Sequence, residues 1–596
     1  MQESLLPVKK HEAIARGWEQ LDFIIITGDA YVDHPSFGTA IISRFLEAGG
    51  YRVGIIAQPD WKSDVDFQEF GKPKYAFFVT AGNVDSMVNH YTASKKRRRK
   101  DVYSPGGKGF QRPDRATIVY TNRLKGIYKD TPIILGGIEA SLRRLAHYDY
   151  WDNTVRRSLL LDAKADMIVY GMGEKTVLEV AESLEAGIPM EHLTYLRGTV
   201  VKSTSLDSVS DYILLPSFHA ISESKELYGK SFMSQYQNTD SINGKTLVEA
   251  YDDVYIVQNP PRETLSQEEF DQIYRLPFTR KAHPEYDESG GIPALSEVKF
   301  SIISNRGCFG GCSFCALTFH QGRKVQSRSK ESILDEGRLI TKMNDFKGYI
   351  HDVGGPTANF QAPACKHQEK YGVCKTKQCL HPSPCRELRV GHQEYLNTLR
   401  ALRSLPEVKK VFIRSGIRYD YLMYDENRTF FRELIRHHIS GQLKVAPEHV
   451  SQSVLEKMGK PKFSVYQQFK NEYERENIRA GKDQYLVPYF ISGHPGSSLE
   501  DAIELAEYIR DLGYMPEQVQ DFYPTPGTLS TCMYYTGIDP RNQTEVHVPK
   551  SPEEKAMQRA LIQFRNPKNR HLVRKALLKA NRPDLIGKHG KALIPE

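Results

Sequence analysis

The chain has no long hydrophobic run. Its longest apolar stretches, such as residues 23–26, are far too short to cross a bilayer. The amino terminus, Met1-Gln-Glu-Ser-Leu-Leu-Pro-Val-Lys-Lys10, lacks the apolar core of a signal peptide. These absences indicate a cytoplasmic protein with no membrane partner. Internal repeats and long low-complexity segments are also missing. Cysteine is almost confined to one stretch: of eight, seven lie between 308 and 385, which excludes a disulfide framework spread along the chain and argues for metal. Cys532 stands apart and reads as an inert thiol. A net charge of +8 is mild for 596 residues and by itself requires no nucleic-acid partner. Hydrophobic and charged contents of 40% and 26% are those of a soluble globular enzyme, and the length calls for two or three domains.

What is present centres on Ile303-Ser-Asn-Arg-Gly-Cys308-Phe-Gly-Gly-Cys312-Ser-Phe-Cys315. Residues 298–303 are apolar and β-branched and predict a strand, so the cysteines leave its C-terminal end on a glycine-rich loop. Three thiolates so close suit a soft, thiophilic metal. A [4Fe–4S] cluster normally takes four cysteines, and a loop with three leaves one iron open to a small molecule. Free or zinc-bound thiols are the plainer alternative. A second set, Cys365, Cys374, Cys379 and Cys385, lies in a loop-rich insertion at residues 360–390. It has too little apolar content to build its own core, so zinc or a second Fe–S cluster would staple it. Free surface thiols are the other reading.

The remainder alternates strands with helices. Strands are expected at 21–28, 52–57, 75–80, 132–135 and 166–170, with turns at Gly136-Gly137 and Gly171-Met-Gly-Glu174. Together they predict an N-terminal doubly wound parallel sheet over residues 1–190. Residues 191–297 read as a connecting region. From 298 the alternation resumes, with strands at 348–353, 410–414, 443–446, 485–492 and 518–522. These predict a partial (β/α)6 TIM-type barrel over 298–550, with its active site at the C-terminal strand ends. Residues 551–596 form a basic helical extension that covers the barrel. Between the third and fourth strands stands Lys95-Lys-Arg-Arg-Arg-Lys100, either a solvated loop or a phosphate contact, including RNA.

The cysteine loop resembles the signature of the radical S-adenosylmethionine superfamily. Gly28-Asp-Ala-Tyr-Val-Asp-His-Pro-Ser-Phe-Gly38, Gly136-Gly-Ile-Glu-Ala-Ser141, Asp352-Val-Gly-Gly-Pro-Thr357 and Val445-Ala-Pro-Glu-His449 make nearly the whole chain similar to its YgiQ-like family. The resemblance implies a [4Fe–4S] cluster on Cys308, Cys312 and Cys315, and S-adenosylmethionine chelated to the open iron. It further implies a 5′-deoxyadenosyl radical acting on an unknown substrate, and an electron donor such as flavodoxin or ferredoxin. It places Phe314 near the adenine and the backbone of Gly354 and Gly355 at the amino group, with Pro356 where the family usually has Glu. Glu448 is expected at the ribose or the amino group, and Arg414, Ser415 and Gly493 at neighbouring strand ends. The N-terminal sheet resembles a cobalamin-binding domain, although its Asp33 and His34 are adjacent and so depart from the Asp-x-His-x-x-Gly pattern. Alternatives are a cobalamin-dependent methyltransferase, an RNA-modifying enzyme, or a non-catalytic Fe–S RNA-binding protein.

Overall fold

A computed structural model describes residues 4–516 and 519–596. Its N-terminal layer is a nine-stranded sheet. The strands are β1 (Phe23–Thr27), β2 (Val53–Ala57), β3 (Ala76–Thr80), β4 (Ile133–Leu135), β5 (Met167–Val169), β6 (Thr199–Ser203), β7 (Tyr212–Leu214), β8 (Thr246–Tyr251) and β9 (Val254–Gln258). They lie in the order β7-β8-β9-β6-β5-β4-β3-β1-β2. The half from β2 to β5 is entirely parallel. Its order, 2-1-3-4-5, is that of doubly wound sheets whose ligands sit at the switch point between β1 and β3. Successive side chains point to opposite faces. Ile24 and Ile26 therefore pack with Phe77 and Val79 on one side, and Phe23 and Ile25 with Phe78 and Ile134 on the other. Burial on both faces explains the unbroken apolar run of β1.

The sheet does not stop at residue 190. The stretch read as a connecting region supplies β6 to β9, which extend it mainly through antiparallel pairs. These strands carry polar residues such as Lys202 and Glu249, and β8 returns to β9 through Asp252-Asp253, so they lack the βα rhythm that marks the first half.

The second layer is a partial barrel. Its strands are β10 (Ser301–Ile303), β11 (Tyr349–Ile350), β12 (Asp352–Gly354), β13 (Lys410–Val411), β14 (Gln442–Glu448), β15 (Tyr485–Ser492) and β16 (Val519–Asp521). β10 pairs with β12 and β11 with β13, so one strand, interrupted at His351, bridges two neighbours. β14, β15 and β16 form a parallel trio. The first barrel strand is shorter than expected. Pro293 opens a helix, Pro293–Val298, and fits its first turn because the missing N–H would have no partner there. Of the strand expected at 518–522, Gln518 lies outside the described residues.

Residues 278–301 stitch the layers together. Lys281–Ala282 pairs antiparallel with Val32–Asp33. The Arg280 guanidinium donates to Lys299 O (2.8 Å), Ser301 O (2.6 Å) and Glu336 Oε1 (2.6 Å). The C-terminal helices Pro552–Ile562 and Arg570–Lys579 bury Met557, Leu561, Val573 and Leu577 against Leu499–Asp511 of the barrel.

Candidate functional site

β10 delivers the chain into the cysteine loop. Gly307 has φ +80°, and a Cβ there would meet Lys324 O at 2.2 Å, so only glycine permits the turn. The Cys308 Sγ lies 3.5 Å from Thr357 Oγ1 and accepts from Gly310 N (3.4 Å). Arg418 donates to Gly310 O (3.2 Å) and to Cys312 Sγ (3.5 Å), while Asp420 holds the other side of its guanidinium at 2.8 and 2.6 Å. Ser313 Oγ donates to Lys457 O (2.6 Å), and Ser530 N donates to Ser313 O (2.9 Å). The loop is thus pinned from several barrel elements. Burial raises the Cys308 thiol and pushes that of Cys315 up to about 12, and the neighbouring thiols add to both shifts.

Among the described residues no three His, Cys, Asp or Glu side chains converge on a point that could hold one metal ion. A [4Fe–4S] cluster makes no such demand, since each cysteine takes its own iron. The donor chemistry and the burial fit that cluster. So does Gly310, where a Cβ would lie 3.2 Å from Cys308 Sγ and 2.5 Å from Arg418 Nη1.

The other expected residues divide. Gly355 abuts the cysteine strand: a Cβ there would sit 2.3 Å from Asn305 O. Gly354 is packed against Ser415, whose hydroxyl is hydrogen-bonded to Asp352. Glu448 is buried at a bulge of β14 in the left-handed region (φ 69°), 3.8 Å from the buried Lys460 Nζ. Such a conformation costs a non-glycine residue of order 1–3 kcal/mol and marks sites where the surroundings enforce it. Phe314 packs edge-on against His494 at 6.0 Å. Arg414 departs from expectation, because its side chain is exposed and lies 4.0 Å from Glu297 Oε2. Gly493 departs too: its N–H donates to Gln558 of the C-terminal helix (3.2 Å).

The second cysteine set lies against the first. Gln378 Nε2 donates to Gly311 O (3.1 Å), and Cys379 packs in one apolar cluster with Cys308 and Phe309. Burial pushes the Cys379 thiol up to about 11, and the thiols of Cys365, Cys374 and Cys385 add to the shift. Cys365 is buried and Cys385 exposed. They do not converge as a tetrahedral zinc site requires.

A cavity of about 490 Å³ opens where the C-terminal edge of the sheet faces the barrel, bounded by Thr80, Gly137 and Glu174 on one side and Asn305, Arg306 and Gly355 on the other. Arg306 Nη1 donates to Glu174 Oε1 across the two layers (2.5 Å), both buried, and Glu174 Oε2 has no partner. The helix after the cysteines, Leu317–Gln321, docks on the same edge. Burial holds His320 at about 4 and so neutral, and its Nδ1 is hydrogen-bonded with Ser141 Oγ (2.8 Å), which also accepts from Gly171 N (3.0 Å). Asp33 and His34 are not in this cavity. Asp33 is bound by Arg44 (3.1 and 2.5 Å), and His34 is fully buried with its Nδ1 accepting from Ser36 N (3.0 Å). They shape the turn and supply no ligand to the switch point.

Residues 5–301 match the family model described as Radical SAM N-terminal, and residues 517–596 match a domain of unknown function (DUF3362). A UPF0313 protein of Clostridium botulinum (strain ATCC 19397 / Type A) is 60% identical over 590 residues, covering 99% of this chain and 92% of the relative. The chain belongs to the UPF0313, YgiQ-like family of radical S-adenosylmethionine proteins. A UPF0313 protein of Clostridium perfringens (strain ATCC 13124) is 57% identical over 594 residues, covering all of this chain and 90% of that one. Among solved structures, the cobalamin-dependent S-adenosylmethionine radical enzyme OxsB, with aqua-cobalamin bound, aligns with a TM-score of 0.50 at 12% identity. That alignment covers 95% of this chain and 72% of OxsB, a likeness of fold. Among the described residues of this UPF0313 chain, no helix is long and apolar enough to cross a membrane.

Sequence reasoning missed three parts of the UPF0313 site. Arg418 lies just beyond Arg414 and Ser415, and only the fold brings it to Cys312. Ser313 and Ser530 meet at 2.9 Å across 217 positions. Asn305, which donates to Thr357 O (3.2 Å), had a signal within reach in its place immediately before the cysteine loop.

Proposed function

We propose that this UPF0313 protein is a radical S-adenosylmethionine enzyme whose [4Fe–4S] cluster is held by Cys308, Cys312 and Cys315. The observation that carries the reading is the half-buried three-thiol loop leaving the C-terminal end of β10 beside Gly354 and Gly355. When bound, such a cluster would supply the one electron that breaks the C5′–S bond of S-adenosylmethionine, giving methionine and a 5′-deoxyadenosyl radical. The chain's part is binding, orientation and exclusion of water. Arg418 steadies Cys312, Ser313 anchors the loop, Glu448 offers a buried carboxylate for the ribose hydroxyls or the ammonium group, and Phe314 lines the adenine side. The substrate is unassigned, and a one-electron donor such as flavodoxin or ferredoxin is required, with the cytoplasm as the setting. Anaerobic reconstitution followed by dithionite should release 5′-deoxyadenosine from S-adenosylmethionine even without substrate. A fully iron-loaded protein that releases none would overturn the reading.

Cys365, Cys374, Cys379 and Cys385 are proposed to hold a second iron–sulfur cluster, on the strength of four thiols in one loop-rich insertion packed against the first cysteine loop. A folded Cys308, Cys312, Cys315 triple-Ala variant should retain iron after reconstitution, and an iron-free variant would remove this site.

One observation favours a corrinoid as an additional cofactor, namely the cavity at the switch point of a sheet ordered 2-1-3-4-5. With His34 packed away, a corrinoid would sit there without a lower histidine. It should leave a visible absorption band after gel filtration of the loaded protein, and a colourless fraction would exclude it.

A further inference from the structure

The run Lys95-Lys-Arg-Arg-Arg-Lys100 is exposed, yet it is held in one shape. Tyr91 and Arg97 form an antiparallel bridge, as do Lys100 and Lys108. Thr92 N donates to Lys96 O (2.8 Å) and Arg98 N to His90 O (2.6 Å), while Lys95 takes a left-handed turn at φ 58°. Six like charges held together repel one another, and the acids alongside are already engaged. Asp114 is bound by His90 and Tyr91 (2.6 Å each), Asp101 by Arg112 (2.9 Å), and Asp149 and Asp152 by Arg115 (3.2 and 2.7 Å). Among the described residues, none of the six cations pairs with a carboxylate within 4 Å, and the neighbouring carboxylates bridge to His90, Arg112 and Arg115 instead. A fold that fixes uncompensated charge in this way has a standing affinity for a polyanion.

Aromatic faces stand between the cations. The Arg97 guanidinium lies 4.4 Å from the ring of Phe110, itself 50% exposed. Lys95 Nζ is 4.7 Å and Lys555 Nζ, from the C-terminal extension, 5.4 Å from the ring of Tyr150, which is buried and so seats these two cations rather than a base. Trp151 and Tyr523 pack at 5.7 Å. Tyr523 follows β16 by two residues and donates to Tyr91 O (3.2 Å), so the loop is fastened to the rim of the barrel. Cations alternating with rings are what a flexible strand of phosphates and bases requires. The cations neutralise the backbone and the rings stack with bases of any identity.

We propose that the loop of residues 91–110, with Trp151 and Tyr523, is a docking surface for single-stranded nucleic acid. The surface shows no means of telling ribose from deoxyribose. Binding of a labelled 12-nucleotide RNA, the matching DNA and a duplex should be followed by fluorescence anisotropy on the full-length reconstituted protein over a range of salt. Both single strands should bind, with a log–log salt slope of about −0.7 for each phosphate neutralised. Joint replacement K96A/R97A/R98A/R99A should weaken binding by more than about tenfold and flatten that slope. Phe110→Ala should weaken it by about fivefold or more and leave the slope unchanged. Release of 5′-deoxyadenosine by both variants, measured in parallel, should equal that of the parent, which separates failure of this surface from failure of the cluster chemistry. The proposal is overturned if the quadruple variant binds single strands as the parent does. It is equally overturned if polyglutamate or phosphatidylserine vesicles bind as tightly as the oligonucleotides and Phe110→Ala has no effect, since that outcome describes charge alone.

Discussion

Arg418 is buried, paired with Asp420, and donates from one guanidinium nitrogen, Nη1, to both the carbonyl of Gly310 and the sulfur of Cys312. Its two roles separate by experiment. Arg418→Ala leaves Asp420 buried without its partner and should cost about 3–5 kcal/mol. Replacing both, as Arg418→Met with Asp420→Leu, removes the unpaired charge and should recover most of that stability. The double variant still lacks the donor to Cys312, so it should load less iron than the parent. Urea midpoints and iron per chain measure the two effects, and a double variant loaded to the parent level would reduce Arg418 to a packing residue. The cysteines themselves were plain from their spacing. Arg418 was not, because its contact with Gly310 spans 108 positions and depends on β13 and its following turn reaching the loop. Arg414 shows the same dependence: the strand expected at 410–414 is only Lys410–Val411, and which side chain of the turn after it faces inward is set by packing.

At the scale of elements, β8 carries an acid where a sheet strand has no water. Glu249 is buried, its Oε1 accepting from Ala146 N (2.9 Å) and the Tyr251 hydroxyl (2.5 Å) while Oε2 has no partner. Burial raises its carboxyl from 4.5 to about 7. A folded value above the unfolded one means that the native state holds the proton more tightly. The stabilisation is complete below pH 4.5 and is lost as pH rises through about 7. Glu249→Gln keeps an acceptor without the charge. It should therefore be more stable than the parent above neutrality, by up to about 3 kcal/mol, and show no advantage near pH 4.5. Urea denaturation at several pH values tests this, and a pH-independent difference would show that Glu249 does not carry the proton. The same strand shows why half the sheet was illegible. β1 to β5 announce themselves as apolar runs ending at glycine or polar loops, because both of their faces are covered. β6 to β9 mix in Lys202 and Glu249 and turn back through Asp252-Asp253, which reads as connector until the neighbours are known.

For the whole molecule, the last two helices are part of the barrel rather than an appendage. Met557, Leu561, Val573 and Leu577 are fully buried against its outer helix. At about 1.5–3 kcal/mol for each such side chain, they contribute about 6–12 kcal/mol, comparable with the entire stability of a typical domain. Ending the chain at Lys550 should yield an aggregated product under conditions where the full chain is monodisperse by light scattering. A soluble, iron-loading truncated chain would contradict this packing account. The interleaved order of the sheet has a further consequence, in time rather than in space. Translation delivers the strands from one end, and domains begin to fold as they emerge. β5 is complete well before β6 is made, and β6 gains its other partner only when β9 follows. Until β6 pairs with it, the growing chain presents Met167–Val169 as an open apolar edge, the kind of template on which another chain can pair. A ribosome that pauses between β5 and β6 lengthens that exposure, whereas one that pauses after β9 has left the tunnel does not.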